Sequence, residues 1–250
     1  MSERSPGAAA GASSAEAARP EPVPRLVAVD WPRTVRLVPS RFPPVGLFDQ
    51  VARPEELEAV AAVQALTNPR LRQEAGEISL VPASERVAGP GSTPVMAAFC
   101  HLNPDGSRFS DGTWGVYYAA ESLATAVAEV SFHRARFLAA TNQAAIEVDF
   151  RSYITRVVEP LHNLRPARWR ALHDPDPAQY PRSQRFAGRL RGAGSWGLLY
   201  RSVRRAGGHC VAVLRPRALA LPVQQGAHVA LRWDGARFTD WYEKSNLAAL

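Results

Sequence analysis

Tyr118 and Glu129 are the residues of this chain whose types and spacing most invite chemistry. A tight turn separates them within GSRFSDGTWGVYYAAESLATAVAEVSFHRARF, Gly106 to Phe137. A carboxylate held partly out of water can stabilise an oxocarbenium-like sugar cation, or orient a nucleophile at an anomeric carbon. A tyrosine at a strand end can stack on a base or ribose, or donate its hydroxyl. Both types also have ordinary uses, as an ion-paired surface glutamate and a half-buried packing tyrosine. A second constellation is Tyr200-Arg201-Ser202-Val203-Arg204, followed by Arg205 and the Gly207-Gly208 turn. A serine beside arginines at a strand end can hold phosphate through hydroxyl, backbone N–H and guanidinium; the plain alternative is a polar surface turn. No His-Asp pair at a readable spacing activates Ser202, which reads as a binding serine and not a nucleophile. A third candidate, Arg41, sits in Ser40-Arg41-Phe42-Pro43-Pro44, where the prolines hold the path extended and leave little backbone freedom to lose on binding.

Absences narrow the chemistry further. The chain has no GxSxG, GxxxxGK[ST], HExxH or CxxC motif and no GxGxxG after a strand. Glu129 and His133, at i and i+4, are half a metal site, so the expectation is no metal.

The elements that must position these residues can be read around them. Trp114 to Ala119 reads as a short aromatic strand, and Ser122 as the N-cap of the helix that carries Glu129. That helix puts Leu123, Val127 and Val130 on one stripe, with Ala126, Glu129 and His133 on the adjoining edge. Upstream, residues 1–24 are Ala, Ser, Gly, Pro and Glu with little to bury, and are expected to be a disordered tail. Leu26 to Val38 alternates, and Pro54 opens a helix that Asn68-Pro69 stops. Val95 to His101 is an apolar run of strand length, and Asn103-Pro104-Asp105-Gly106 is a turn. Downstream, Ala144 to Phe150 alternates as a strand, 159–182 shows no period, and Ser183 to Leu190 suits a short helix. Strands are expected at Gly197 to Tyr200, His209 to Leu214, His228 to Trp233 and Arg237 to Tyr242. Strands with few helices and no βαβ repeat predict an α+β fold, with 25–250 as one domain.

Composition limits the partners. The formal charge is +7, which ordinarily suggests a polyanion, but Lys244 is the sole lysine and the arginines are scattered apart from Arg182–Arg191 and Arg201–Arg205. Cys100 and Cys210 lie in apolar runs and are expected as buried thiols in a reducing compartment. No apolar run is long enough to span a membrane, so a soluble cytoplasmic protein without a membrane partner is expected.

SRFPP, the Gly106 to Glu129 block and GLLYRSVRRAGGHCVAVLRP occur in an order that resembles the RES-domain family, from about Arg36 to Tyr242. The resemblance implies an ADP-ribosyltransferase-like mixed sheet with flanking helices, and a toxin of a bacterial toxin–antitoxin pair that consumes NAD+. It carries the family arginine to Arg41, the glutamate to Glu129, the serine to Ser202, a basic residue to Arg108 and a tyrosine to Tyr118. The sequence departs from the family at Arg108-Phe109-Ser110-Asp111, where Trp and Asn are common. By this resemblance Arg41, Arg108 and Ser202 clamp phosphate, Tyr118 positions the nicotinamide-ribose end and Glu129 steadies the ribosyl cation. NAD+ is then substrate, with phosphate, water or a protein side chain as acceptor. The implied partner is a cognate antitoxin that blocks the site and itself meets nucleic acid; a homo-oligomer stays open. The alternatives are an ADP-ribosyltransferase acting on a macromolecule and a basic nucleic-acid-binding module without catalysis.

Overall fold

The computed structural model describes residues 22–40, 49, 53–59 and 76–244. Arg41, most of the expected tail and the expected helix beyond Ala59 lie outside these residues. The described strands are β1 (Leu26–Val27), β2 (Thr34–Pro39), β3 (Tyr117–Ala120), β4 (Ile146–Thr155), β5 (Leu161–Asn163), β6 (Gly197–Arg201), β7 (His209–Val213), β8 (Gln224–Trp233) and β9 (Phe238–Lys244). They form one sheet in the order β1-β5-β6-β7-β3-β2-β4-β8-β9. The β5–β6 pair is parallel and the other pairs are antiparallel. Among the described residues the sheet is flanked by the helices α1 (Thr93–Cys100), α2 (Leu123–Ala140) and α3 (Tyr180–Gly192). The fold is α+β, as the mixture of strands and few helices predicts.

The central strands are buried on both faces, and their alternation divides the core. Tyr117, Leu199, Val211 and Val213 face a cluster with Val95, Met96 and Phe99 of α1. Leu198, Tyr200, Cys210 and Ala212 face the opposite cluster, with Phe186, Ala187 and Leu190 of α3. Each fully buried Leu or Phe contributes about 1.5–3 kcal/mol of apolar transfer, enough to set the register of β6 and β7. A third cluster seats Val127 of α2 on Phe150, Val229 and Leu231. The stripe with Leu123, Val127 and Val130 is therefore the packing face of α2, and the edge with Ala126, Glu129 and His133 lines a cavity.

Val95 to His101 is a helix and not the expected strand. Apolar runs of this length do not distinguish a buried helix from a buried strand by period alone. Pro94 in the first turn and Ala97-Ala98 within it favour helix, and valine is its lone β-branched residue after the N-terminal Thr93. Gly115 supplies the tertiary reason: a Cβ there would lie 2.3 Å from Phe99 Cα, so α1 is packed backbone to backbone on the approach to β3. That approach is why β3 begins at Tyr117 and not at Trp114. β5 was not expected either, because it is three residues in a Pro- and Arg-rich segment and exists through its pairing with β1 and β6.

Candidate active site

Glu129 and Ser202 are 73 positions apart in sequence, and the fold brings them together. The Ser202 hydroxyl donates to Glu129 Oε1 at 2.5 Å, a short charge-assisted hydrogen bond. Two elements set this meeting. On one side, Ser122 caps α2 by accepting Thr125 N–H at 3.3 Å, and Glu129 then falls on the edge of α2 that faces the sheet. On the other, the β6–β7 hairpin turns at Gly207, whose φ of +74° suits glycine, and Ser202 N–H closes the loop on Gly208 carbonyl at 2.8 Å. A Cβ on Gly208 would meet the Thr125 side chain at 2.9 Å, so α2 rests directly against this hairpin. Glu121 fastens the same junction by accepting from His209 N–H and facing His209 Nδ1, each at 2.9 Å.

Ser202 Oγ is fully engaged. Besides donating to Glu129, it accepts Arg204 N–H at 3.1 Å and Arg205 N–H at 3.0 Å. Its one proton is committed to the carboxylate, so as placed here the hydroxyl can orient Glu129. The Cys210 thiol also lies toward Glu129 Oε1, at 3.9 Å, and burial raises its pKa well above the usual thiol range. It stays a neutral thiol beside the carboxylate.

Glu129 lines a cavity of about 420 Å³, within the range of small-ligand sites. Arg36, Arg108 and Tyr118 line it too. Tyr118 leads with its ring, because its hydroxyl is engaged by the Gly106–Ser110 loop: it accepts Phe109 N–H at 3.0 Å and shares a 2.8 Å bond with Ser107 Oγ. Burial pushes the phenol up to about 12, so it stays protonated at neutral pH. Arg108 is buried and its guanidinium is tied down, with Nη1 donating to Asp174 carbonyl at 2.6 Å and its plane 4.7 Å from the Tyr180 ring. Arg41 lies outside the described residues.

Arg36 is the site residue that sequence reading did not single out. β2 and β3 share one paired position, Val35 with Ala120, whereas β2 and β4 share six. In the space beside that pair, Arg36 Nη1 donates to Tyr118 carbonyl at 3.2 Å, with its guanidinium 4.8 Å from the Tyr117 ring. Its buried Nε has no hydrogen-bond partner, and burial lowers its pKa. The signal was available, since an arginine inside the apolar strand TVRLVP is one of the residues almost never buried without a partner.

The surroundings are electropositive. Arg204 lies with its guanidinium carbon 3.2 Å from the Phe132 ring centroid, one turn along α2 from Glu129. His133 is exposed on α2, and its pKa is lowered to about 4, first by desolvation and then by Arg204, Arg108 and Arg136. The cavity therefore offers guanidinium groups suited to an anion, and one hydrogen-bonded carboxylate suited to a developing cation. Among the described residues no group of His, Cys, Asp or Glu is placed to hold a metal ion. No described helix is long and apolar enough to cross a membrane.

The RES domain family model matches residues 84–234. The Sinorhizobium fredii (strain NBRC 101917 / NGR234) protein y4oC, described as uncharacterized, is 31% identical over 214 residues, covering 83% of this chain and 85% of its own. The crystal structure of the M. tuberculosis MbcT-MbcA toxin-antitoxin complex is similar at a TM-score of 0.37 and 17% identity, covering 51% of this chain and 73% of that one. That last likeness is too slight to transfer anything to this chain.

Proposed function

Because the chain belongs to the RES domain family, we propose that it is a toxin enzyme that breaks the bond between nicotinamide and ribose in NAD+. The observation that carries this reading is the 2.5 Å hydrogen bond from Ser202 to Glu129, at a cavity that Glu129 lines together with Arg36 and Arg108. NAD+ joins a diphosphate to a nicotinamide that is already a cationic leaving group. An enzyme acting on it needs cations for the anion and a carboxylate for the ribosyl cation. As the C–N bond breaks, its electron pair leaves with nicotinamide, and the acceptor's lone pair closes on the ribose carbon.

Glu129 steadies the cation that forms between these events, and Ser202 holds its carboxylate in one orientation. Arg36 and Arg108 supply positive charge along the cavity, and Arg41 joins them by the family resemblance. Tyr118 presents its ring as a wall for the ribose or nicotinamide. The acceptor decides the product: phosphate gives phosphorolysis, water gives hydrolysis, and a protein side chain gives ADP-ribosylation. Cellular NAD+ depletion follows from the first two, and a cognate antitoxin that occludes the cavity is the partner such a toxin requires.

The test is incubation of the full chain with NAD+, with and without inorganic phosphate and with a cell lysate, followed by mass identification of the ADP-ribose product. Release of nicotinamide that Glu129→Ala abolishes, in a protein of unchanged circular dichroism, is the expected result. No release under any of these conditions refutes the reading.

A further inference from the structure

A second concavity, outside the site just described, runs along α3. It encloses about 1120 Å³ between α3 and the Ala167–Leu172 turn, and Trp114 is a wall common to it and to the Glu129 cavity. Arg182, Arg185 and Arg189 of α3 line it from one side and Arg168 from the other. Arg168, Arg182, Arg185 and Arg189 are all exposed. Among the described residues Asp111 is the one acid in its lining, and its Oδ1 already accepts from Thr113 N–H at 3.0 Å and Thr113 Oγ1 at 2.7 Å. Among the described residues Arg168, Arg182 and Arg185 have no ion-pair partner.

The arrangement of these charges is more informative than their number. Positions 182, 185 and 189 follow i, i+3, i+7, so the guanidinium groups start within an arc of about 60° and are spread over roughly 10 Å of helix axis. Acidic side chains at the same spacing on a second helix rise by the same 1.5 Å per residue, and meet them one to one. Two turns of helix about 10 Å across occupy on the order of 850 Å³, which the concavity accommodates. A single nucleic-acid strand, the other polyanion to consider, needs exposed rings on which bases can stack. Of the rings in the lining, Trp169 and Phe186 are buried at 7% and 5% exposure, with Arg168 and Arg189 lying 5.5 and 5.7 Å from them, and half-buried Trp114 is a single ring with Arg191 5.8 Å from it, too little for successive bases to stack on.

We propose that this groove docks a helix of a partner protein whose Asp or Glu side chains repeat at i, i+3 and i+7 in register with Arg182, Arg185 and Arg189. The inference rests on the surface alone and stands apart from the reading of the Glu129 cavity.

The test uses the full chain and a fluorescein-labelled, lactam-stapled alanine-based peptide of about 16 residues, long enough to hold as a helix, with Glu at i, i+3 and i+7. Its isomer carries the same glutamates spread around the helix, and a single-stranded DNA of equal charge is the third probe. Fluorescence anisotropy is expected to show the in-register peptide binding about tenfold more tightly than the isomer or the DNA, as three surface ion pairs would allow. The double variant Arg182→Glu, Arg185→Glu is expected to lose that binding and to regain it with a peptide in which Lys replaces the two glutamates that face positions 182 and 185, a rescue that misfolding would not permit. Equal binding of both isomers, tighter binding of DNA, or a charge-reversed variant that keeps the original peptide or is not rescued overturns the proposal.

Discussion

If Ser202 acts through Glu129, then the two residues must be energetically one unit, and a double-mutant cycle measures this directly. Ser202→Ala removes the 2.5 Å hydrogen bond to Oε1 and with it the contact that fixes the carboxylate. Charge-assisted bonds of this kind are worth about 1.5–3 kcal/mol, which corresponds to a fall of roughly 10- to 150-fold in nicotinamide release. The fold should tolerate the change. The N–H groups of Arg204 and Arg205 lose their acceptor, but the loop is open enough at Arg205 for water to replace it. Glu129→Ala removes the charge facing the ribosyl cation and should cost about 10²- to 10³-fold, the usual loss for one transition-state electrostatic contact. In the Glu129→Ala background, Ser202→Ala should then change the rate less than about twofold, because nothing remains for it to orient. The assay is initial-rate nicotinamide release from NAD+ by the four proteins at saturating substrate. Additive losses in the double variant would refute the reasoning, and would mean that Ser202 contacts the substrate itself.

Arg36→Met should raise the KM for NAD+ at least about tenfold while leaving the melting temperature equal or higher, since it exchanges a half-buried cation whose buried Nε is unpartnered for an apolar side chain; a lower melting temperature with unchanged KM would make Arg36 a structural residue. Tyr118→Phe leaves the buried Phe109 N–H without its acceptor and should cost about 1–3 kcal/mol, or roughly 2–4 °C of calorimetric melting temperature per kcal/mol in a chain of this size. His133 is held at about 4 in the folded protein, below the value near 6.5 of the unfolded chain, so the unfolded state takes up the proton first as pH falls. Its contribution is complete above about pH 6.5 and is lost between about pH 6.5 and 4, and His133→Asn should flatten that limb of a melting-temperature profile, by an amount that the exposure of His133 keeps modest.

Much of the fold was legible because it rests on local signals. Ser122 before an amphipathic run marks the start of α2 to the residue, since the cap side chain satisfies a helix N–H wherever the helix goes. The alternating strands at the C-terminal end were readable for a similar reason, with their turns at Gly207-Gly208 and Asp234-Gly235. Val95 to His101 was not legible, because an apolar segment buried on all sides has no period to read, and the close approach at Gly115 decided its form. β5 depends wholly on partners supplied by β1 and β6.

The candidate site divides in the same way. Residue types and the order of the blocks determine which side chains are chemically able to act, and Tyr118, Glu129 and Ser202 are recognisable on that ground. Only the tertiary structure decides what each does with its hydrogen bonds. It commits the Ser202 proton to Glu129, the Tyr118 hydroxyl to the loop at Ser107 and Phe109, and the Arg108 guanidinium to the carbonyl of Asp174. It also turns Arg36 from a strand residue into a cation lining the cavity. The physical reason is that hydrogen bonds and burial depend on distances between segments far apart in the chain, and those distances exist only once β2, α2 and the β6–β7 hairpin have packed together.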